Sequence, residues 1–496
     1  MSHGDMAAPK VPMIMDGYGG GGFPITTANP KAQAFFDNGM QLAHAFAHKA
    51  AIEAMSEAVR LDPTCAMCLW GKAWASGPTI NFGKSEDEVA ELAEMADKAA
   101  DLAKAQGSDR EREMIHALQL RYKNGGGGKD GDLRFAKAMA GMAEGYPDDN
   151  EIAVIAADAW LMTHSDSHED DKLNARLAMP LLERVLKRNP DYTPAIHFYI
   201  HATESADVPK LAEPYADRLA ALAPRASHLV HMPSHTYYWV GRYEEAAKTN
   251  MRAVEIGIDN AKRLGLGPPD GVWGLPYHGH NITFGLGGAL EAGDAEIALK
   301  LGKPLVERAQ TREHTPPGGQ SIAVLGYSAM ARFADPAEVL ALPEPKLPIT
   351  TAAWHYARGE AFARRDDAAN VRKEAAAIHG IPGKVTKDDG SLQAQTMTFI
   401  ARNVLLGRAA MIEHRPQDAA MAFAQAAEME EGDDFSSLAD PPLWPYPIRR
   451  DLAAALLAAG DVKGARREAQ GALKYRPKDP GTLALLSTLE TRAAAR

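Results

Sequence analysis

The sequence predicts an all-α protein, an α/α superhelix (solenoid) of degenerate helix pairs with no sheet. Alanine-rich segments with a helical period dominate the chain, as in residues 91–105 and 450–459. Strand signals are nearly absent. Residues also recur at a spacing of 34, as Pro190 and Pro224 or Ala212 and Ala246 do, and this is the length of a helix–turn–helix repeat.

Length and composition exclude several classes of protein. A chain of 496 residues is too long for one compact core, so it forms either several domains or an elongated array. Its net charge of −11 argues against a nucleic-acid partner, because nucleic-acid binders carry basic stripes. No apolar run reaches about 18 residues, so we expect no membrane span. The chain should be soluble, cytoplasmic as written, or periplasmic or secreted if a signal peptide was removed.

The sequence divides into three parts. Residues 1–30 are rich in Gly, Pro and Met, and we expect a flexible N-terminal arm, either poorly ordered or draped over the array. Residues 31–335 should form the first helical array. A Pro-rich stretch, 336–348, is a candidate hinge. Residues 349–496 should form a second array that ends in a capping helix over 482–495.

Seven of the 17 histidines lie within the 84 residues from 197 to 280. A shift of 34 residues carries the first pair, 197 and 201, onto 231 and 235. The histidines form two stripes, because residues at i, i+3, i+4 and i+7 share one face of a helix. The stripes are His197, His201 and Glu204, and His228, His231 and His235. Equivalent helices of stacked repeats pack roughly 8–10 Å apart, so the two stripes should meet around one or two metal ions.

The motif His228-Leu-Val-His-Met-Pro-Ser-His235 resembles a branch of the tetratricopeptide repeat (TPR) superfamily that carries the sequence HMPSH. The resemblance extends along most of the chain, through segments such as 35–39, 197–204, 278–281 and 442–447. It implies the fold far better than it implies a reaction. In TPR proteins small residues let paired helices approach closely, as expected for Gly39, Ala51 and Ala58. The segments 241–246 and 293–298 look like turns between paired helices.

The resemblance also places the histidines in the repeat. In TPR proteins, positions 2, 5, 9 and 12 of the first helix face the concave groove where ligands bind. The register set by Ala212 and Ala246 puts all six residues of the two stripes at these positions. An insertion at 264–276 would bring His278, His280 and Asn281 onto the same patch. An array of this family would hold a peptide at these positions.

A cluster of neutral imidazoles in a partly dry groove is costly unless each nitrogen has a partner, and a bound metal supplies one. We therefore predict a transition-metal site, with copper or iron favoured and zinc possible. The predicted ligands are His197, His201, Glu204, His228, His231 and His235, with His278 and His280 as further ligands or supporting residues. Tyr237 and Tyr277 are candidates for redox or proton transfer.

Two function classes follow from this prediction. The first is a metal-dependent oxidoreductase with a mono- or dinuclear centre, acting on a small-molecule substrate. The alternative is a non-catalytic scaffold whose groove binds a peptide or protein partner, or senses pH. Simple structural packing of the histidines is a third interpretation.

The only cysteines form a CxxC motif, Cys65-Ala-Met-Cys68. Two buried packing residues, a disulfide, or half of a second metal site with His44 or His48 are all compatible with this spacing.

Overall fold

The chain is all-α over the part that the computed structural model describes, which is residues 12–123, 128–163, 165, 167–268, 270–387, 389–432, 435 and 441–494. Within these residues no strand occurs, and the β-type pairing consists of an isolated bridge between Thr79 and Phe82. None of the described helices has both the length and the apolar character needed to cross a membrane. The predicted fold class is therefore confirmed.

The helices fall into two compact units, the first comprising Met1–Thr236 and Arg252–His278 and the second Tyr237–Met251 and Gly279–Arg496. The first unit contains α1 (Pro30–His44), α2 (His48–Leu61), α3 (Ala66–Ala75), α4 (Glu86–Gln106), α5 (Asp109–Tyr122), α6 (Lys129–Gly145), α7 (Asn150–Met162), α8 (His168–Arg188), α9 (Thr193–Ser205), α10 (Glu213–Leu222) and α11 (Ser227–His231). Helices α12 (Pro233–Trp239) and α13 (Tyr243–Arg263) contribute residues to both units. Short 3₁₀ helices span Pro209–Ala212 and Gly271–Gly274.

The second unit continues with α14, which begins at the boundary residue His278. Its helices are α14 (His278–Ala292), α15 (Ala295–Thr311), α16 (Pro317–Phe333), α17 (Pro336–Leu340), α18 (Pro348–Ala363), α19 (Ala368–Ala377), α20 (Ser391–Ile412), α21 (Pro416–Glu431), α22 (Arg449–Ala458), α23 (Val462–Tyr475) and α24 (Pro480–Ala494). The stretch 336–348, considered above as a hinge, lies inside this unit and contains α17.

Several helices end in a turn of one recurring kind. At the end of α1 the Phe46 amide donates to the carbonyl of Ala43 and the Ala47 amide to that of Leu42, so a residue with positive φ follows the helix. This is the Schellman motif, in which the left-handed residue is usually glycine. The same turn recurs at Asp207, Gly241, Asp366, His414 and Gly460.

Small residues are buried where paired helices approach closely. Ala51 and Ala58 are inaccessible to solvent, and a Cβ on Gly39 would lie 2.8 Å from Cε of Met55. Ala465 and Ala472, which have the same seven-residue spacing near the end of the chain, are also inaccessible. The fold is therefore TPR-like, as the sequence indicated.

The described part of the N-terminal arm, residues 12–29, lies draped over helices of the first unit. The Met15 amide donates to the side chain of Asn38 over 2.9 Å, and the Gly20 amide donates to Thr193 over 2.7 Å. The Gly22 amide donates to the Glu151 carboxylate over 2.9 Å. The arm is thus connected to α1, α7 and α9. Residues 1–11 lie outside the described part of the chain.

The close helix approach predicts opposite effects at two helical glycines. A Cβ on Gly407 in α20 would lie 2.5 Å from the Phe423 ring, whereas a Cβ on Gly141 in α6 would meet nothing within 4 Å. Gly407→Ala should lower the free energy of unfolding by about 1–3 kcal/mol through overpacking. Gly141→Ala should raise it by about 0.5–1 kcal/mol through helix propensity. Urea denaturation of both variants tests this, and equal effects would contradict the assigned packing.

Candidate metal site

Helix α9 and the consecutive helices α11 and α12 bring the two histidine stripes together inside the first unit. The faces of these helices that carry the stripes are buried, and His197, His228, His231 and His235 are all inaccessible or nearly so. His201 is partly buried. Ligand nitrogens of His197, His201 and His228 lie within 4.8 Å of one another, close enough for one ion. The side-by-side arrangement predicted from the 34-residue spacing is therefore present.

His197 and His228 face each other through their Nε2 atoms, which are 3.1 Å apart. The other ring nitrogen of His197, Nδ1, lies 2.8 Å from the backbone carbonyl of His44. A carbonyl oxygen can only accept, so Nδ1 of His197 carries the proton. In the neutral ring this leaves a lone pair on Nε2, directed at His228. Burial holds the pKa of His197 well below its usual value, and the positive charge that His201 would carry lowers it further.

His231 and His235 form a second pair of the same kind. Their Nε2 atoms are 3.0 Å apart, and Nδ1 of His235 lies 2.8 Å from a carboxylate oxygen of Glu204. The carboxylate accepts the Nδ1 proton of His235, so Nε2 of that ring also presents a lone pair to its neighbour. Glu204 thus lies behind His235, in the position of a residue that orients a ligand.

His201 lies between the two pairs. Its ring centroid is 5.1 Å from that of His197 and 5.4 Å from that of His235. Its Nε2 is inaccessible to solvent and has no hydrogen-bond partner among the described residues. Burial lowers the pKa of His201 to about 3, with a further contribution from His235 that outweighs the opposing effect of Glu204. His201 is therefore neutral at physiological pH and has a buried nitrogen available to a cation.

A layer of residues that the sequence did not reveal supports the first pair. Nε2 of His44 donates to a carboxylate oxygen of Glu151 over 2.9 Å, and both side chains are buried. The Tyr192 hydroxyl and the Gly22 amide donate to the other oxygen of Glu151. His44 was considered above only as a partner of the cysteines. No local spacing could have linked it to His197, which is 153 residues away.

Two aromatic rings cover the first pair. The Phe46 ring stacks on His228 with centroids 4.7 Å apart and meets the edge of His197 at 4.5 Å. The Tyr277 ring lies 4.4 Å from that of His228. Its hydroxyl accepts a hydrogen bond from Asn81 over 3.2 Å, and burial raises the pKa of Tyr277 above its usual value. Of the two tyrosines predicted to act in catalysis, Tyr277 thus lies beside the histidines.

The remaining predicted residues contact aromatic or cationic neighbours. His278 is buried beside Trp273, at a ring distance of 4.9 Å, in the segment that follows the insertion. His280 and Tyr237 belong to the second unit. There, the His280 ring lies 4.7 Å from that of Phe284, and the Arg242 guanidinium lies 4.1 Å from the centre of the Tyr237 ring.

The cysteines form a disulfide, Cys65–Cys68, at the start of α3. Both residues are buried, and the sulfur of Cys65 accepts from the Cys68 amide at the helix N-terminus. The disulfide removes both sulfurs as thiolate ligands, so the second metal site considered for this motif is not formed.

Comparison with known proteins adds little beyond the fold class. No protein-family model and no curated protein sequence matches the chain. Among solved structures, the chain is similar to human IFIT1 in a dimer with m7Gppp-AAAA, at 12% identity and a TM-score of 0.30, covering 91% of each chain. It is similar to yeast Tom70 at 10% identity and a TM-score of 0.28, covering 94% of this chain and 90% of that one. The P58(IPK) TPR domain matches at 13% identity and a TM-score of 0.23, covering 86% and 98%.

The lowered pKa of His201 predicts how stability depends on pH. In the unfolded chain this histidine titrates near 6.5, so between about pH 6.5 and 3 the unfolded state binds the extra proton. Stability of the metal-free protein should therefore fall as the pH drops below 6.5, by about 1–2 kcal/mol at pH 5 from this group.

His201→Gln should reduce that fall, because glutamine does not titrate. Chemical denaturation at pH 7.5 and pH 5 of protein treated with a chelator measures the difference. His116→Gln, on the exposed face of α5, is the matched control. An unchanged pH dependence in His201→Gln would contradict the assigned burial.

Proposed function

We propose that the first unit binds a transition-metal ion through His197, His201 and His228, and that His231 and His235 extend this site. The observation that carries the proposal is that two pairs of histidines face each other through their Nε2 atoms. In each pair, an acceptor fixes one ring by a hydrogen bond at Nδ1. Histidines that bind metal ions commonly donate their other ring N–H to a carbonyl or carboxylate, which fixes the tautomer and the ring orientation.

The distances fit this proposal. Two nitrogens bound to one ion at about 2.0–2.1 Å lie about 2.9–3.4 Å apart at octahedral or tetrahedral angles. The separations of 3.1 and 3.0 Å fall in that range. A hydrogen bond between neutral rings has a similar length. Nε2 of His201 favours the ion, because an N–H···N bond within each pair leaves that nitrogen without a hydrogen-bond partner in the described part of the chain.

The donor set favours particular metals. Neutral imidazoles suit copper, iron, zinc and nickel, whereas magnesium and calcium prefer oxygen ligands. We propose copper or iron as the ion, with zinc as the third choice, and an oxidation of a small molecule as the reaction. Tyr277 supports a redox role because its ring lies next to His228 and its hydroxyl is held by Asn81. The bound ion would supply the electron transfer or Lewis acidity, while the protein residues hold it and exclude water.

The second candidate is a non-catalytic scaffold that binds a peptide or protein partner. The TPR-like fold favours it, because stacked helical repeats generally use their extended concave surface for binding. In that case the histidines would form a neutral polar patch, and the protein would function without a stoichiometric metal. Metal content separates the two candidates directly.

Elemental analysis of the full chain, purified without a histidine tag, tests the proposal. We expect roughly one or two equivalents of copper, iron or zinc per chain, held by several imidazoles. The double variant His197→Gln/His228→Gln should lose most of this metal, because both Nε2 donors of the first pair are removed. Glu204→Gln should weaken metal retention by roughly 10–100-fold, as expected for a residue that orients a ligand.

His168→Gln is the control, since this histidine is 63% exposed and lies at the start of α8.

Added metal should also raise the melting temperature of the wild-type chain, because an ion that binds the folded state stabilises it by about 2.7 kcal/mol at a hundredfold excess over Kd. A chain that contains no metal and takes up none on titration would refute the metal proposal and leave the scaffold.

A further inference from the structure

The first unit contains a cavity of about 210 Å³ that lies between the start of α2, the end of α3 and the segment after it. Lys49 and Ile52 line it from α2, Phe82 and Lys84 from the segment after α3, and Pro276 from the end of the insertion. Its volume is below the roughly 300–1,000 Å³ of sites that take drug-sized ligands, so a small metabolite is the matching size class.

Two aromatic rings, Phe46 and Tyr277, lie between the lining of the cavity and the histidine cluster. On the cavity side, the ring of His48 lies 5.1 Å from that of Phe46, and the ring of Phe82 lies 6.1 Å from that of Tyr277. On the other side, Phe46 and Tyr277 contact His228 directly. Phe46 and Tyr277, with centroids 5.9 Å apart, thus form a partition between the cavity and the histidines.

The conformation of Phe46 supports a functional role for this partition. Its φ of 55° is left-handed, and for a bulky side chain that conformation is strained. The equivalent turn positions elsewhere carry glycine, aspartate or histidine, which tolerate positive φ. Strain at a single residue of this kind commonly persists at functional sites. Here it keeps the ring between the cavity and His228.

The fully charged residues that line the cavity are two lysines. Among the described residues that line it, Lys49 and Lys84 carry full charges and no carboxylate occurs, although the chain as a whole has a net charge of −11. The Lys84 side chain is only 11% exposed, and its Nζ lies 3.1 Å from the more exposed carboxylate of Glu88. Ile52, Phe82 and Pro276 contribute apolar surface.

We propose that this cavity binds a small organic carboxylate. Lys49 and Lys84 would contact the anionic group, and Ile52, Phe82 and Pro276 would contact the apolar part. Apolar surface beside two cations matches an organic anion better than inorganic phosphate, which would leave that surface uncovered. Binding at the cavity does not depend on a metal. That the ligand is also the substrate rests on the proposed metal function. Phe46 and Tyr277 lie between the lining rings of the cavity and His228.

Isothermal titration calorimetry of the full chain with benzoate, benzamide and inorganic phosphate tests the proposal. We expect benzoate to bind, and its neutral isostere benzamide and phosphate to bind at least about tenfold more weakly, because charge-assisted hydrogen bonds are the stronger ones. Lys84→Met and Lys49→Met should each weaken benzoate binding by about tenfold or more. Lys248→Met is the matched control, because this exposed lysine of α13 also pairs with a glutamate four residues away.

Ile52→Trp provides a second variant that keeps both lysines. It should fill the cavity and abolish benzoate binding while the protein remains folded by circular dichroism. Equal affinity for benzoate and benzamide, or unchanged benzoate binding in both lysine variants, would overturn the proposal. All titrations are run on chelator-treated and metal-loaded protein. Benzoate binding without any metal uptake would support the cavity and refute the metal proposal, and metal uptake without benzoate binding would do the reverse.

Discussion

The turn at Phe46 is the constraint on which the candidate site depends. Because α1 ends there in a Schellman motif, the carbonyl of His44 is one of the helix-end carbonyls that have no partner in their own helix. It accepts the Nδ1 proton of His197, and this fixes the tautomer of the ring at the centre of the cluster. Two residues later, the left-handed backbone of Phe46 places its ring on His228. One turn therefore orients one histidine and covers another.

The supporting layer extends outward from that turn in a continuous set of hydrogen bonds. His44 contacts Glu151, and Glu151 also receives the Tyr192 hydroxyl and the Gly22 amide of the N-terminal arm. Buried polar groups are costly unless satisfied, so each of these hydrogen bonds stabilises the arrangement. The draped arm is in this sense part of the site, although it contributes no side chain to the histidine cluster among the residues described.

Periodic features of the fold were predictable from the sequence, and long-range contacts were not. The 34-residue shift that carries His197 onto His231 reflects stacked repeats, so it predicted that the two stripes would be adjacent. The same register identified the buried small residues such as Ala51 and Ala58. The predicted copper or iron and the oxidoreductase activity stay predictions, since a donor set favours several metals at once.

The contributions of His44, Phe46 and Glu151 could not be predicted in this way. They reach the cluster through a contact between α1 and α9, elements that are far apart in the chain. A positive φ at a phenylalanine also has no sequence signature, because the residue types that favour it are Gly, Asn, Asp and His. The spacing did predict that Glu204 shares a helix face with His197 and His201. Only the structure shows that its carboxylate accepts from Nδ1 of His235, on the side of that ring away from Nε2.

The energetics of the cluster bear on the choice between a metal site and a polar groove. A groove that recognises a peptide uses polar side chains that water can satisfy when the peptide is absent. Here the pKa values of His197 and His201 are lowered by burial, so both rings are held neutral. An unsatisfied buried polar atom costs about 1–3 kcal/mol, and within the described residues Nε2 of His201 is such an atom. An ion coordinated at that nitrogen would offset this cost, which gives the arrangement of rings a physical reason that packing alone does not supply.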